Sequence, residues 1–385
     1  MKNALEKLLH LKETDKNICL LHGGENSILA QNPLDIFKYK IGQKNTLSSF
    51  LKKNKQNLII GYFSYDIAYE LLNIKAKAKD DLNLPDIYLL AFKNWETFKN
   101  KENIKIPKTK DYESKNFKLE ITQKAYIAAY KKIKDYIKEG DVYQINLTHR
   151  LKAQTKTPPR ELFIKIVEQN PVEFSAYIEG DGFGILSASP ERFIKIDGKK
   201  IETCPIKGTR PRGKTKKQDE ALKMELLNSE KEKSELNMIT DLLRNDLGKI
   251  SKTGSVKVRE ERVISKCSTV WHTYSRITAE LSKETTPVQA LLSMLPGGSI
   301  TGCPKKRAVE IIDELEPTRR GPYTGVIGYI MPNQKKLDFN IAIRTIIKKS
   351  DKLYLQVGGG IVQDSNQQAE FEETLQKAES FMKIL

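Results

Sequence analysis

"ITQKAYIAAYKKIKDYIKEGDVYQINLTH", residues Ile121 to His149, changes its hydrophobic period midway. In its first half Tyr126, Tyr130, Ile133 and Ile137 recur at helical spacing and share one face. Thr122 is placed to cap the start of that helix and Gly140 to end it. From Val142 to His149 the period falls to two. Gln144, Asn146 and Thr148 take one side of a strand; Tyr143, Ile145 and Leu147 take the other. Further strands are expected at Phe183–Ser187, Arg192–Ile196, Val326–Met331, Ile341–Ile347 and Leu353–Val357. Several are separated by short turns, which favours antiparallel pairing. Long helices are expected at Asp219–Leu247, Lys305–Glu314 and Gln367–Leu385. Strand clusters mixed with helices, without regular βαβ alternation, predict an α+β fold. Residues 1–100 read as short strands and turns, including "NLIIGYFSYDIAYELL" (Asn57–Leu72), and lysine-rich Asn100–Lys118 reads as a connection between two lobes.

A chain of 385 residues with 39% hydrophobic and 30% charged residues can bury a large core and is not compositionally disordered. The formal charge of +17 raises nucleic-acid binding as one class of function. The lysines, however, are interleaved with acids, and no zinc-finger spacing, RNP-like strand or basic helical arm accompanies them. The reading is a lysine-rich solvated surface with no nucleic-acid partner. Cys19, Cys204, Cys267 and Cys303 stand far apart, which argues against a zinc site or a disulfide framework and suits a reducing compartment. No segment approaches the ~20 apolar residues of a membrane helix, and the charged N-terminus lacks a signal-peptide core. A cytoplasmic location and no membrane partner are expected.

Glu232 and Glu235 are three apart in "NSEKEKSELNMITDLLRND", as are Glu370 and Glu373 in "QQAEFEETLQKAES", so each pair shares a helical face. On the last helix Phe371, Leu375, Ala378 and Met382 form the expected core stripe, which leaves Glu370, Glu373 and Lys377 elsewhere. Glu235 instead aligns with the apolar Ile239 and Leu242. Such carboxylates either hold a hard ion such as Mg²⁺ or are ordinary solvated charge; spacing does not separate the two. "PGGSITGCPKK" (Pro296–Lys306) runs from a glycine-rich turn into a helix, where free backbone N–H groups suit an anion. It includes Ser299, Thr301 and Gly302 and is not a Walker loop. "QVGGGIV" (Gln356–Val362) permits close backbone approach. Lys207, in "PIKGTRPRG", is either a nucleophile or a loop charge, and Glu191, in "SASPERF", either a proton donor or a surface acid. His272 is either a proton donor or a satisfied core histidine. Arg344 is a guanidinium in an apolar strand and needs an anion from the protein or from a ligand.

These segments, with "GDVYQINLTHR", "SELNMITDLLRNDLG", "GVIGYI", "IAIRT" and "AEFEETLQKA", occur in the order found in the chorismate-utilising enzymes, which the chain resembles over roughly residues 120–385; "GYFSYD" (Gly61–Asp66) extends the likeness. The family includes anthranilate, aminodeoxychorismate, isochorismate and salicylate synthases. The resemblance implies two antiparallel β-sheets packed as a sandwich with helices outside. It implies one large unit, with an N-terminal subdomain at 1–115 and a chorismate-binding catalytic region at 116–385. Lys207 is similar to the lysine of the aminodeoxychorismate branch, where the other branches typically carry alanine. Gln144 stands where the water-adding members place a general-base lysine. By the same resemblance, Mg²⁺ is the cofactor, held by Glu235 and Glu373 with Glu232 and Glu370 in or beside its shell. Lys207 would be a covalent nucleophile, Glu191 the general acid, and His272 a histidine near the substrate. Arg344, Tyr329, Lys377 and the Gly358, Gly359 and Gly360 backbone would surround the enolpyruvyl carboxylate. Ammonia would come from solution or from a separate glutamine amidotransferase subunit.

Overall fold

The computed structural model describes residues 3–12, 14–44, 46–100, 105–267 and 270–385. The described strands form two antiparallel sheets. The first sheet contains β1 (Cys19–His22), β2 (Asn26–Ala30), β6 (Glu96–Lys99), β7 (Ser114–Leu119), β8 (Gln144–Thr155), β9 (Phe174–Gly180), β10 (Phe183–Ser189), β16 (Gly302–Cys303), β19 (Thr345–Lys349) and β20 (Lys352–Ile361). The second contains β3 (Asp35–Tyr39), β4 (Leu58–Phe63), β5 (Ile87–Phe92), β11 (Arg192–Asp197), β12 (Lys200–Cys204), β13 (Ile206–Pro211), β14 (Lys257–Lys266), β15 (Val270–Glu280), β17 (Val326–Ile330) and β18 (Lys336–Ile341). Residues before 115 therefore supply strands to both sheets. Facing side chains such as Ile60, Tyr62, Tyr88, Ile178, Ile185 and Ile347 bury against one another between the sheets. Helix α1 (Ala4–Leu9), α5 (Pro159–Gln169) and α10 (Gln367–Met382) pack their apolar stripes on the first sheet. Helices α2 (Leu47–Lys53), α3 (Ile67–Leu71), α4 (Gln123–Lys138), α7 (Glu230–Ile250), α8 (Pro287–Met294) and α9 (Lys305–Leu315) enclose a larger core that borders both sheets.

The period change that opened the sequence reading is realised in α4 and β8. Thr122 accepts a hydrogen bond from the Ala125 N–H at 3.2 Å, Tyr126, Tyr130 and Ile133 are buried, and Gly140 turns the chain at φ +82°. β8 begins at Gln144 and runs on to Thr155, with ten positions paired to β20 from Lys352↔Gln154 to Ile361↔Ile145.

Other expectations need correction. The long helix expected over Asp219–Leu247 is two helices, α6 (Lys216–Asn228) and α7, broken at Ser229. Ser229 adopts extended backbone and its side chain accepts from the Glu232 N–H, so a residue that favours an N-cap starts a new helix here. The strand expected at Ile341–Ile347 is likewise interrupted: β18 ends at Ile341 in one sheet and β19 starts at Thr345 in the other. Arg344 sits on that crossing with φ +52°, not within a strand. Of the stretch expected to connect two lobes, residues 101–104 lie outside the described residues, and Ser114–Lys118 belong to β7, which pairs with β8. The buried face of α10 is Glu370, Phe371, Thr374, Ala378 and Phe381, so Glu370 sits with the core stripe and not apart from it, while Met382 is exposed, because the helix leans by one residue from the expected face. The strand expected at Leu353–Val357 runs on through the triple glycine to Ile361 as β20.

Candidate active site

A cavity of ≈ 710 Å³ opens where β8, β13, β15 and β20 meet the first turns of α7 and α10, and it gathers candidates from eight separate segments. Lys207 enters it from β13. Ile206 pairs with Tyr274, Lys207 with Thr273 and Thr209 with His272, so one extra residue, Gly208, bulges out of the ladder. Gly208 has φ +80°, and a Cβ there would lie 2.7 Å from Leu226 Cδ1, so the bulge requires glycine. Thr273 Oγ1 donates to the Lys207 carbonyl and pins the bulge. The Lys207 ammonium stands 3.8 Å from Glu235 Oε2 and faces Gly360 across the cavity. A Cβ on Gly360 would stand 2.5 Å from the Gln144 amide nitrogen and 3.8 Å from Lys207 Nζ, so a larger residue would intrude into this space.

Glu191 follows β10 and precedes β11 and is 5% exposed. Its Oε1 accepts from Ser299 Oγ at 3.0 Å. Burial pushes its carboxyl up to about 7, against the opposing pull of Lys207, the Ser299 hydroxyl and the Ile206 N–H. The acid is thus poised to donate a proton near neutrality. His272, on β15, is buried, and its Nδ1 shares a 2.8 Å hydrogen bond with Thr209 Oγ1. Burial and, secondarily, nearby Arg344 lower it to about 4, so the imidazole is neutral over the working range. Arg344 lines the cavity, and burial lowers its pKa from the ordinary guanidinium value. No ion pair holds its guanidinium among the described residues, which leaves it facing the cavity without a protein anion.

Glu232 and Glu235 from α7, and Glu370 and Glu373 from α10, line the opposite side. Each is engaged by a cation. Arg210 approaches Glu232 at 3.5 Å, Lys377 approaches Glu373 at 2.7 Å, and the Lys231 ammonium lies 3.9 Å from Glu235 and 3.4 Å from Glu370. Burial, with Glu232 and Glu370 adding to it, raises Glu235 despite its lysine neighbours. Burial would also raise Glu373, but Lys377 and more distant lysines bring it below the usual carboxylate range. Among the described residues no three acidic, histidine or cysteine side chains converge tightly enough to hold an ion as they stand. One ammonium nevertheless bridges carboxylates from both helices, which shows that the two helices face a common cation position lined by hard oxygen donors. That donor chemistry fits Mg²⁺.

Not every expected residue reaches the cavity. Tyr329 does not: on β17 it points to the core between the sheets, and Tyr323, just before that strand and 5% exposed, lines the cavity instead. In "GPYTGVIGYI" Tyr323 lies in the turn before β17 and Tyr329 within the strand, which turns Tyr329 with Ile327 toward the core between the sheets. Gly358 and Gly360 line the cavity, whereas Gly359 turns toward Glu370 Oε2. Ser299 lines it, but Thr301 bonds back to the Gly297 carbonyl and Gly302 pairs with Ile145, so both are structural parts of the turn. Gln144 is buried beneath Gly360 and does not line the cavity; neither its Oε1 nor its Nε2 has a partner among the described residues. Lys377 donates to the Gly358 carbonyl at 3.0 Å and lies at the rim. Asn146 and Lys231 are site residues that the sequence reading left out. Asn146 follows Gln144 on the same strand side, and Lys231 adjoins Glu232, so both were within reach of that reading.

Residues 9–383 match the family model for "chorismate binding enzyme". Over 415 residues the chain is 36% identical to aminodeoxychorismate synthase component 1 of Bacillus subtilis, covering 99% of this chain and 88% of that one. It is 35% identical to anthranilate synthase component 1 of Acetivibrio thermocellus, covering 96% and 83%. Among solved structures, anthranilate synthase component I of Streptococcus pneumoniae superposes with a TM-score of 0.84 at 28% identity, covering 99% and 97%. With a lysine, a buried acid and an arginine that has no ion-pair partner among the described residues converging on one cavity, and a family match over almost its whole length, the chain belongs to the chorismate binding enzymes.

Proposed function

We propose that this chain is component 1 of an aminodeoxychorismate synthase, converting chorismate and ammonia to 4-amino-4-deoxychorismate. The observation that carries the reading is Lys207: a lysine at the bulge of β13, aimed into the cavity near Glu235 and within the electrostatic reach of Glu191. As the free amine, Lys207 Nζ attacks the ring carbon next to the carboxylate-bearing carbon. The two ring double bonds shift, the C–O bond to the ring hydroxyl breaks, and Glu191 donates the proton with which that hydroxyl leaves as water. Ammonia then attacks the carbon that lost the hydroxyl, the double bonds shift back, and Lys207 departs as neutral amine. A proton returned to Glu191 restores the acid. Two displacements leave nitrogen para to the carboxylate; a single direct attack by ammonia would leave it ortho.

Arg344 and the Gly358–Gly360 backbone, with Tyr323 in the position expected for Tyr329, would receive the enolpyruvyl carboxylate. Neutral His272 would line this end of the cavity without adding a second charge. Glu235 and Glu373, with Glu232 and Glu370, would hold Mg²⁺, which supplies electron withdrawal at the ring carboxylate when bound. The "component 1" naming of the relatives supports a separate glutamine amidotransferase as ammonia donor. A second reading, anthranilate synthase component 1, is favoured by a relative of nearly equal identity. Incubation with chorismate, Mg²⁺ and ammonium, followed by chromatography of the amino product, separates the two. Formation of anthranilate alone would refute the first.

A further inference from the structure

The outer edge of β8 is served by three different partners in turn. β16 covers Gln144 and Ile145, and the Thr301 carbonyl then takes the Asn146 N–H at 2.8 Å. Further along, the Glu120 N–H meets the Arg150 carbonyl at 2.9 Å, and β7 covers Leu151–Thr155. Between these no strand pairs with this edge among the described residues. The gap is filled by two side chains from the segment after α9: Arg320 Nη2 donates to the Asn146 carbonyl at 2.6 Å, and the Thr148 N–H donates to Glu316 Oε1 at 2.9 Å. The two residues are themselves paired, Arg320 Nε with Glu316 Oε2 at 2.9 Å and Nη2 with Oε1 at 2.7 Å, and Arg320 is 1% exposed. A guanidinium and a carboxylate thus act as a surrogate strand.

The position of this gap matters. On its inner edge the same stretch pairs Gly358 with Thr148, Gly359 with Leu147 and Gly360 with Asn146, so it carries the glycine strand that forms one wall of the cavity. The other terminal nitrogen, Arg320 Nη1, donates to the Ile300 carbonyl at 2.9 Å, one residue from Ser299, the hydroxyl that holds Glu191. One guanidinium fork therefore grips both the strand that carries the glycine wall and the turn that carries the acid's partner. We propose that Arg320, oriented by Glu316, is a positioning residue that sets the placement of the Ser299–Glu191 pair relative to the Gly358–Gly360 wall. The inference rests on reading Glu191 as the general acid.

Removing either charge alone strands the other in the interior, so the test uses Arg320→Lys, which keeps the pair but loses the two-carbonyl fork, and the neutral double variant Glu316→Gln/Arg320→Gln. Each is assayed for chorismate turnover at constant free ammonia, for KM and for the pH dependence of kcat, beside Glu191→Gln as reference. Arg320→Lys is expected to keep KM within about threefold and to lower kcat about 10- to 100-fold, the size of effect that a misplacement near 1 Å produces. The alkaline limb should also move upward, because a weaker Ser299 bond no longer favours the Glu191 carboxylate while Lys207 still faces it. The double variant should behave alike and decides the matter if the lysine variant does not fold. A variant with reduced melting temperature but unchanged kcat and an unmoved limb would overturn the inference. Wild-type turnover by Glu191→Gln would instead overturn the general-acid reading, so the two failures are distinguishable.

Discussion

Replacing Glu191 by glutamine tests the site through activity and stability at once. The carboxyl is 5% exposed, and its rise from the ordinary 4.5 to about 7 corresponds to about 3 kcal/mol at about 1.4 kcal/mol per pH unit. That is the net cost of keeping the charge in a site whose lysine and serine only partly offset burial. Below pH 4.5 the group is protonated in folded and unfolded chains alike, and glutamine should have little effect. From 4.5 to about 7 the unfolded chain has lost the proton and the folded chain has kept it, so the contribution of this one group to wild-type stability falls with rising pH. Above 7 the loss is complete. Because glutamine does not titrate and can still accept from Ser299, Glu191→Gln should be more stable than wild type by about 3 kcal/mol at pH 8.5 and near parity at pH 4.5. The same substitution removes the proton donor and should lower kcat by about 10²- to 10⁴-fold. In the wild type, kcat/KM should fall as pH rises through about 7, since the acid must be protonated to act. Urea unfolding at several pH values and chorismate consumption at constant free ammonia measure both halves. Wild-type activity in the variant, or a stability difference that does not change with pH, would refute the reasoning.

Lys207→Ala should abolish the para-amino product and leave chorismate binding by calorimetry; trapping without ammonia should label the wild-type peptide that carries Lys207, and an unlabelled peptide with normal product formation would refute covalency. Glu235→Gln and Glu373→Gln should each weaken Mg²⁺ binding by calorimetry and remove most turnover, whereas full activity in EDTA would dismiss the metal assignment. His22, His149 and His272 are each buried and lowered to about 4, so they stay neutral in the fold and gain protons in the unfolded chain from about pH 6.5 downward. Their contribution to stability should therefore be lost as pH falls from 6.5 to 4, opposite in sign to that of Glu191, and His272→Asn should flatten part of that slope in acid denaturation. The chain alone should use ammonium but not glutamine; glutamine-dependent product from the pure chain would contradict a separate donor subunit.

What the sequence determined is what local periodicity and residue chemistry can carry. The helix–strand switch at Ile121–His149 survives because its apolar stripe, its cap and its alternating strand are all set by neighbours within a few residues. Both glutamate pairs were legible because a three-residue spacing puts two side chains on one helical face whatever surrounds the helix. Lys207 and Glu191 were legible as residue types on punctuated segments, but their roles were not. Tertiary structure alone brought α7 opposite α10, so that Lys231 spans Glu235 and Glu370, and it placed β13 within reach of Glu191. It also chose Tyr323 over Tyr329, since β17 turns Tyr329 toward the core between the sheets while the preceding turn leaves Tyr323 at the cavity. The sheet crossing at Arg344 and the Glu316–Arg320 bridge belong to the same class, whereas the helix break at Ser229 rests on a local cap. The crossing and the bridge each break or complete an element to suit contacts far away in the chain, and nothing within a local window of sequence records those contacts.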